Sequence, residues 1–316
     1  MLRRNPIVRL KVHTAETLLR PLVGDIRVNS LQLLAGGLSN SNYLAKLTGG
    51  TELVLRIWTS GEKHRQCERV ALKEVKNNVA VPTLLHFDEN PELGFAVGVF
   101  EKLPGYSLWA LLRVCDESQS RRIGRVVGET LAALQQQSVH REIPRFSTHT
   151  ALEYIRSAFD NPNITETIGS RRRNAIHSLL TENENWLVDI GGPPKFAHGD
   201  FKGDNILVCQ NRGRWRVGGV IDWEWVHAGT TFSDVATLLR NDRTFTTPFT
   251  KGFTEAYSHS GGWLPRGWKR ATRLFDLVNQ SERLSWSNRR PALFRQALSY
   301  IDATIGEFSN PTGRKD

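Results

Sequence analysis

Short runs of hydrophobic residues dominate the first hundred positions and predict a strand-rich region. The predicted strands are NSLQLLA (29–35), NYLAKLT (42–48), ELVLRIW (52–58), VPTLLHF (81–87) and GFAVGVFEKL (94–103). Gly49-Gly50, between the second and third runs, indicates a hairpin. A helix capped by Thr14 is expected over 15–23, and a charged helix over about 64–78.

The pattern changes after Pro104-Gly105, where hydrophobic residues begin to recur with the period of a helix. Between 117 and 139 the apolar face comprises Ile123, Val126, Val127, Thr130, Leu131 and Leu134. Further helices are predicted near 150–159, 172–188, 232–241, 250–259 and 291–307. A hairpin over 206–222, turning at Asn211-Arg212-Gly213, is the only extended stretch expected there. We therefore expect an N-terminal β-rich lobe (1–103) and a larger, mainly helical lobe (104–316).

Composition limits the classes of protein to consider. The chain has 316 residues, 39% hydrophobic and 23% charged, as in a soluble globular protein of two domains or lobes. No apolar run approaches the roughly 20 residues that span a bilayer, and the basic start lacks the apolar stretch of a secretory signal. Three cysteines at Cys67, Cys115 and Cys209 have no metal-ligand spacing. These features predict a cytoplasmic protein with free thiols.

The formal net charge of +10 raises the question of a nucleic-acid partner. The basic residues lie in small separate groups at 121–122, 171–173 and 289–290, with no stacking aromatics interleaved. No nucleic-acid-binding motif is present, so solvated helix faces are the better explanation.

One segment concentrates polar chemistry against an apolar run. HGDFKGDN (198–205) precedes Ile-Leu-Val, and VGGVIDWEW ends a second apolar run at Asp222. Taken alone, the first segment suits a turn as well as an active site. The second segment favours the active site, since two aspartates and Asn205 can converge beside a hairpin. A carboxylate that orients a hydroxyl, with two hard oxygen ligands, is what magnesium-assisted phosphoryl transfer requires.

With these spacings, HGDFKGDN and IDWE resemble the aminoglycoside phosphotransferase and choline kinase family of the protein-kinase-like superfamily. The resemblance covers about 30–305 and implies a bilobal α+β kinase fold that uses ATP and Mg²⁺. It implies that Asp200 orients the acceptor hydroxyl and that Asn205 and Asp222 hold magnesium. His198 would support the loop, and Lys202 would neutralise charge on the γ-phosphoryl.

The resemblance extends to the N-terminal strands. LLAGGLSNSNYLAKL (33–47) is similar to the nucleotide-positioning loop, with Gly36 and Gly37 near the phosphates and Ser39 and Asn42 at the tip. Arg56 stands where protein kinases have their phosphate-binding lysine. Glu68 on the following helix is its expected partner, with Glu74 the less well placed candidate.

Three more positions complete the comparison with this family. FEKLPGYSL resembles the hinge, where the carbonyl of Glu101 and the N–H of Leu103 would meet adenine. Asp234 resembles the buried aspartate that braces the catalytic loop. Gln135 replaces a common histidine, and we interpret it as a structural substitution.

The acceptor is left open by the sequence. Tryptophans and acidic residues after Asp222 suit a cationic substrate, although tryptophans in a helical lobe are more often core residues. They are Trp223, Trp225, Trp263, Trp268 and Trp286, with Glu224, Asp242, Glu255 and Glu282. The chain is expected to phosphorylate an aminoglycoside, a choline- or thiamine-like alcohol or another hydroxylated metabolite. The alternatives are a nucleotide-binding pseudokinase and a protein kinase; Gly199 and IDWE disfavour the latter.

Overall fold

The computed structural model describes residues 5–25, 27–34, 39–59, 61–90, 94–240, 247–285 and 291–309. Its elements, in chain order, are α1 (Val12–Val23), β1 (Val28–Leu33), β2 (Ser41–Leu47), β3 (Glu52–Trp58), α2 (Glu62–Val75), β4 (Leu84–Asn90), β5 (Phe95–Glu101), β6 (Tyr106–Ser107), α3 (Leu108–Leu112), α4 (Glu117–Gln135), β7 (Arg145–Phe146), α5 (Thr148–Asp160), α6 (Pro162–Ile168), α7 (Ser170–Gly191), β8 (Lys195–Ala197), β9 (Ile206–Asn211), β10 (Arg214–Val220), β11 (His227–Gly229), α8 (Phe232–Leu239), α9 (Thr247–His259), α10 (Trp268–Phe275), α11 (Leu277–Leu284) and α12 (Pro291–Ser309). Strands come first and helices dominate afterwards, so the predicted α+β class is confirmed.

The chain divides into two compact units whose limits differ from the expected boundary at 103. The first comprises 1–113 together with 203–225, and the second comprises 114–202 and 226–316. The returning segment groups with the first unit because β9 pairs with both β6 and β10. In addition, the Val220 N–H donates to the Ala80 carbonyl over 2.8 Å. Such long-range pairing has no local sequence signal.

A five-stranded antiparallel sheet, in the order β1-β2-β3-β5-β4, forms the centre of the first unit. On β3, Arg56 lies opposite Asn42 of β2 and Gly98 of β5. A Cβ at Gly98 would lie 2.4 Å from the ring of Trp58, so only glycine leaves space for that ring. The sheet therefore places Arg56 centrally, with both neighbouring strands fixed.

Helix α1 packs its apolar face, which includes Leu18 and Leu19, with the core of this sheet. It begins at Val12, and its N-cap is Lys11 without a side-chain hydrogen bond. The predicted cap at Thr14 is therefore wrong, because Thr14 lies inside the first turn.

The second unit is built on close helix packing. A Cβ at Gly124 or Gly128 of α4 would lie within 2.4 Å of a carbonyl oxygen of α9. Gly252 of α9 approaches the Arg121 carbonyl equally closely. Small residues thus let the two backbones approach, which the apolar periodicity of α4 does not reveal.

Several short elements of this unit were not predicted. They are the helices α6, α10 and α11 and the strands β7, β8 and β11, which form a small sheet in the order β7-β11-β8. Strands of two or three residues are too short to show a period, so only their pairing reveals them. Among the described residues no helix is long and apolar enough to cross a membrane, and the three cysteines are free.

Candidate active site

Arg56 is the centre of a buried ionic cluster in the first unit. Its Nε lies 3.3 Å from Glu68 Oε2, and its Nη2 lies 2.7 Å from Asp222 Oδ1 and 3.9 Å from Glu224 Oε2. Glu68 can contact Arg56 because it lies on the buried face of α2. The indole N–H of Trp58 also donates to Glu68 over 2.6 Å. One guanidinium thus faces three carboxylates.

Burial and mutual repulsion govern the protonation of this cluster. Burial raises the pKa of Glu68 to about 7, although Arg56 opposes the shift. Burial also raises the pKa of Glu224, and the nearby Asp222 charge adds to that rise. For Arg56, burial lowers the pKa, but the three carboxylates outweigh it and the net shift is upward. Arg56 therefore stays charged, while Glu68 and Glu224 can take up protons.

Asn205 and Asp222 are brought together by the β9–β10 hairpin. Asn205 immediately precedes β9, Asp222 follows two residues after β10, and the Ile221 N–H donates to the Asn205 carbonyl over 2.9 Å. Asp222 adopts φ 70°, a left-handed conformation that is uncommon outside glycine and is often found at functional sites. The hairpin thus brings the backbone at Asn205 next to the residue that precedes Asp222.

The donor set fits magnesium, which prefers oxygen ligands and keeps waters and substrate phosphates in its shell. The cluster has an excess of carboxylate, so a divalent cation would balance its charge. Two of its buried polar atoms, Arg56 Nε and Asn42 Oδ1, have no hydrogen-bond partner. Asn205 and Asp222 would hold the ion. The charge of Asp222 is already balanced without a metal ion, because Arg56 Nη2 lies 2.7 Å from its carboxylate.

The predicted nucleotide loop is only partly visible. Gly36 and Gly37 lie outside the described residues. The Ser39 carbonyl accepts a hydrogen bond from the Thr59 hydroxyl over 2.7 Å. Asn42 lies within β2 rather than at the tip of the loop.

Asn40, which the sequence analysis missed, connects the end of this loop to the hairpin. Its Oδ1 accepts from the Thr59 N–H over 3.0 Å, and its Nδ2 donates to Glu224 Oε2 over 3.0 Å. The two partners are distant in sequence, so no local pattern indicates the contact.

The hinge residues lie at the end of β5. The Glu101 N–H donates to the Thr83 carbonyl over 3.1 Å, and its side chain is exposed. Leu103 packs against Gly219, where an added Cβ would lie 2.2 Å from the leucine. Their roles toward adenine stay predictions.

The catalytic loop belongs to the second unit up to Lys202 and is fixed by Asp234. The two carboxylate oxygens of Asp234 accept from the N–H groups of His198 (2.8 Å) and Gly199 (2.9 Å). The N–H of Asp200 donates to His198 Nδ1 over 3.2 Å, and Lys202 Nζ lies 2.5 Å from Asp200 Oδ2. Asp200 is therefore held in a rigid loop, with a cation beside it.

Asp234 is itself fully buried at the start of α8, and burial raises its pKa to about 7 against the two N–H donors. Gln135 supports the same helix end: its amide donates to the Thr231 carbonyl over 3.2 Å and accepts from the Tyr257 hydroxyl. Gly199 has φ 81°, a conformation that disfavours an arginine at this position.

The acidic and aromatic residues considered for the acceptor are dispersed. Trp223 is fully buried and donates to the Val220 carbonyl, and Glu255 pairs with Arg121 on the surface. Trp225 contacts His64 in the first unit. Asp242 and Trp286 lie outside the described residues. These contacts place the three residues in the core, on the surface and beside α2, rather than together in one binding site for a cationic acceptor.

Residues 30–274 match the phosphotransferase enzyme family, APH. The chain belongs to this family.

Three solved structures share the fold of this phosphotransferase. APH(2″)-IIia, solved with GDP and kanamycin, is 17% identical with TM-score 0.68, covering 95% of this chain and 99% of its own. A thermostable mutant of aminoglycoside phosphotransferase APH(4)-Ia, solved with AMP-PNP and hygromycin B, is 18% identical with TM-score 0.67, covering 93% and 98%.

Macrolide 2′-phosphotransferase MphH from Brachybacterium faecium is 17% identical with TM-score 0.65, covering 95% of this phosphotransferase and 98% of its own chain. Comparison with curated proteins finds no match. The predicted kinase-like fold and the assignment as a small-molecule kinase are confirmed. At these identities the likeness shows the fold and leaves the acceptor open.

Proposed function

We propose that the enzyme transfers the γ-phosphoryl of ATP to a hydroxyl of a small molecule, with Asp200 as base and Asn205 and Asp222 as magnesium ligands. The observation that carries this proposal is the hairpin contact between Ile221 N–H and the Asn205 carbonyl. It joins the backbone of Asn205 to the residue before Asp222, and Arg56 contacts Asp222, which supports a shared role for these residues.

Nucleotide binding rests on the first unit. The guanidinium of Arg56 offers a fork suited to phosphate oxygens. Glu68 and Asp222 hold that fork on either side at 3.3 Å and 2.7 Å, which limits its motion. The backbone of Glu101 and Leu103 would contact adenine, and Ser39 would lie near the phosphates. Two of the similar structures carry GDP or AMP-PNP, which supports a nucleotide here.

Magnesium supplies charge neutralisation and orientation of the phosphates when it is bound. The protein contributes the rest through its own groups. The acceptor hydroxyl forms a bond to the γ-phosphorus as the bond from that phosphorus to the β-bridging oxygen breaks. Asp200 takes the hydroxyl proton, and Lys202 stabilises the charge on the transferring group. The products are ADP and a phosphate monoester.

The loop geometry suits this role for Asp200. Two hydrogen bonds from His198 and Gly199 to Asp234 fix the backbone on the N-terminal side. Because His198 Nδ1 accepts from the Asp200 N–H, the imidazole proton of the neutral ring is on Nε2. His198 is therefore a positioning residue.

The proposal is tested by incubating the protein with Mg²⁺ and either ATP or GTP against a panel of hydroxylated acceptors. The panel contains aminoglycosides, amino alcohols, sugars, hydroxy acids and macrolides. We expect acceptor-dependent ADP formation and a phosphorylated product by mass spectrometry. Nucleotide binding with no acceptor-dependent turnover across the panel, and none for D200N, would leave the pseudokinase as the better description.

A further inference from the structure

A second buried charged cluster lies in the helical unit, around Asp276. This carboxylate is fully buried at the start of α11. Its oxygens accept from Arg240 Nε at 2.7 Å and 2.9 Å, from Asn279 Nδ2 at 3.0 Å and from Gln280 Nε2 at 2.5 Å. The two oxygens share the one N–H of Arg240 Nε, so three donors converge on this carboxylate.

The three donors occupy much of the hydrogen-bonding capacity of Asp276, because a carboxylate offers about four lone-pair sites. Arg240 Nη2 is buried and has no hydrogen-bond partner. Gln280 Oε1 is also buried without a partner, but an amide oxygen carries no charge to balance an arginine. A further cation beside this cluster would therefore find few acceptor sites left on Asp276.

Arg283 is that further cation. It follows Asp276 by two helical turns on the same face of α11, and helical side chains lean toward the N-terminus. Its guanidinium is therefore directed toward the turn of Asn279 and Gln280. With the described residues Arg283 makes no hydrogen bond or ion pair. Burial and the charge of Arg240 lower the pKa of Arg283 to about 10, against Asp276 and Asp200.

The cluster is connected to the catalytic loop through α8. Near its start, Asp234 binds the backbone of His198 and Gly199. One turn later Thr237 Oγ1 accepts from Asn279 Nδ2 over 3.4 Å, and Arg240 caps the C-terminal end. The charge of Asp200 also acts on Arg283. Arg240 thus ends the helix that braces the loop of the proposed base, and Asn279 of α11 contacts that helix.

We infer that the acceptor carries an anionic group, a carboxylate or a phosphate, which Arg283 and Arg240 bind while its hydroxyl is presented to Asp200. This inference rests on the proposed function and names the class of its acceptor. A negatively charged group would supply further acceptor oxygens beside Asp276, whose own oxygens are shared among three donors. It replaces the expectation of a cationic acceptor, whose acidic and aromatic residues are dispersed.

The test compares wild type, R283Q, R283K and a control, R171Q, which changes an exposed arginine of the same unit. Thermal shift is measured with glycerate, inorganic phosphate, glycerol and choline. ADP formation is measured with hydroxy acids, sugar phosphates, neutral polyols and amino alcohols. The hydroxy-acid and sugar-phosphate arms distinguish the two anionic groups.

We expect wild type and R171Q to be stabilised by anionic compounds and to phosphorylate an anionic acceptor. In R283Q the affinity for that acceptor should fall about tenfold or more, as loss of a charge-assisted hydrogen bond predicts, with R283K between the two. Ligand-free R283Q should melt at or above the wild-type temperature, since a buried charge without a partner is removed.

The inference is overturned if wild type uses only cationic or neutral alcohols, if R283Q binds anions as wild type does, or if R283Q fails to fold. Failure of the proposed function gives a different result. In that case Arg283-dependent anion binding persists while no member of the panel is phosphorylated.

Discussion

Two buried ionic clusters in this protein have opposite charge imbalances. Around Arg56, one guanidinium faces the carboxylates of Glu68, Asp222 and Glu224. Around Asp276, one carboxylate faces Arg240, with Arg283 on the same helix face. A surplus of carboxylate suits a divalent cation, and a surplus of guanidinium suits an anionic group. The first imbalance supports the proposed metal site, and the second supports the proposed anionic acceptor.

The clusters also differ in how they relieve the imbalance without a ligand. Glu68, whose pKa burial raises to about 7, can take up a proton near neutral pH. Burial lowers the pKa of Arg283 only to about 10, so it remains charged there. Protonation can thus relieve the first cluster, whereas Arg283 in the second stays charged and would be relieved by the proposed anion.

The largest effect is expected at Asp200, the carboxylate linked to the cation-rich cluster. D200N should lower turnover by about 10²- to 10⁴-fold, as loss of a positioned base predicts, while nucleotide affinity and melting temperature stay near wild type. The measurement is kcat with the acceptor identified in the panel. D204N, which changes an exposed aspartate of the same loop, is the control and should retain its activity. Near-normal kcat in D200N would remove Asp200 from the chemistry.

Removal of the charge of Asp276, the carboxylate of the second cluster, should lower the free energy of unfolding most. D276N removes the counter-ion of Arg240, whose side chain is only 13% exposed, and we expect a loss of about 3–5 kcal/mol in the free energy of unfolding. Urea denaturation measures it. D302N is the matched control, because Asp302 pairs with Arg172 at the surface, with half its side chain exposed. That variant should lose less than about 1 kcal/mol. Equal losses in the two variants would mean that burial does not make the charge of Asp276 more important for stability than that of Asp302.

The sequence predicted a large part of the first cluster but nothing of the second. Arg56 and Glu68 were paired by a family resemblance in strand and helix order, and their atoms lie 3.3 Å apart. Asp276 and Arg240 lie 36 positions apart, without a motif or a period to connect them. Polar contacts between distant elements depend on how helices pack, which one sequence does not encode locally.

The same reason explains the other omissions. The link from Asn40 to Glu224 joins residues 184 positions apart. The positive φ of Asp222 could not be predicted from IDWE by propensity, since aspartate more often adopts negative φ. Strong periods identified the long helices, and the short ones between them depend on tertiary contacts.

The third effect should distinguish the proposed metal ligand Asp222 from the proposed base Asp200. D222N should largely lose the extra stabilisation that Mg²⁺ adds to ATP, because the charged ligand is gone. Asparagine tolerates the left-handed conformation of Asp222, so the fold should persist. Thermal shift with ATP plus Mg²⁺ or plus chelator gives the increment, which is up to about 2.7 kcal/mol at a hundredfold excess over Kd.

D200N should keep the magnesium increment, and D204N should behave as wild type. A magnesium-independent shift that is equal in wild type and D222N would contradict the metal role of Asp222.

The smallest effect concerns pH and the carboxylate-rich cluster. Burial raises the pKa of Glu68 from 4.5 to about 7 in the folded state. Between these values the folded protein holds a proton that the unfolded chain has lost. The stability contributed by this group is therefore fully present below about pH 4.5 and is lost as pH rises through 7. E68Q, neutral at every pH, should lose less stability than wild type between pH 5 and pH 7.5. The difference in the free energy of unfolding should be on the order of 1 kcal/mol.

Glutamine can still accept from the Trp58 indole, so the fold should survive the change. Asp234, whose pKa burial also raises to about 7, contributes a fall of the same sign, and some slope should remain in E68Q. E74Q on the same helix is the control, and melting curves of both variants against wild type provide the measurement. An unchanged slope in E68Q would show that Glu68 stays ionised beside Arg56. The carboxylate-rich cluster would then carry a permanent surplus, and the contrast with the cluster of Asp276 would lie in the sign of its charge alone.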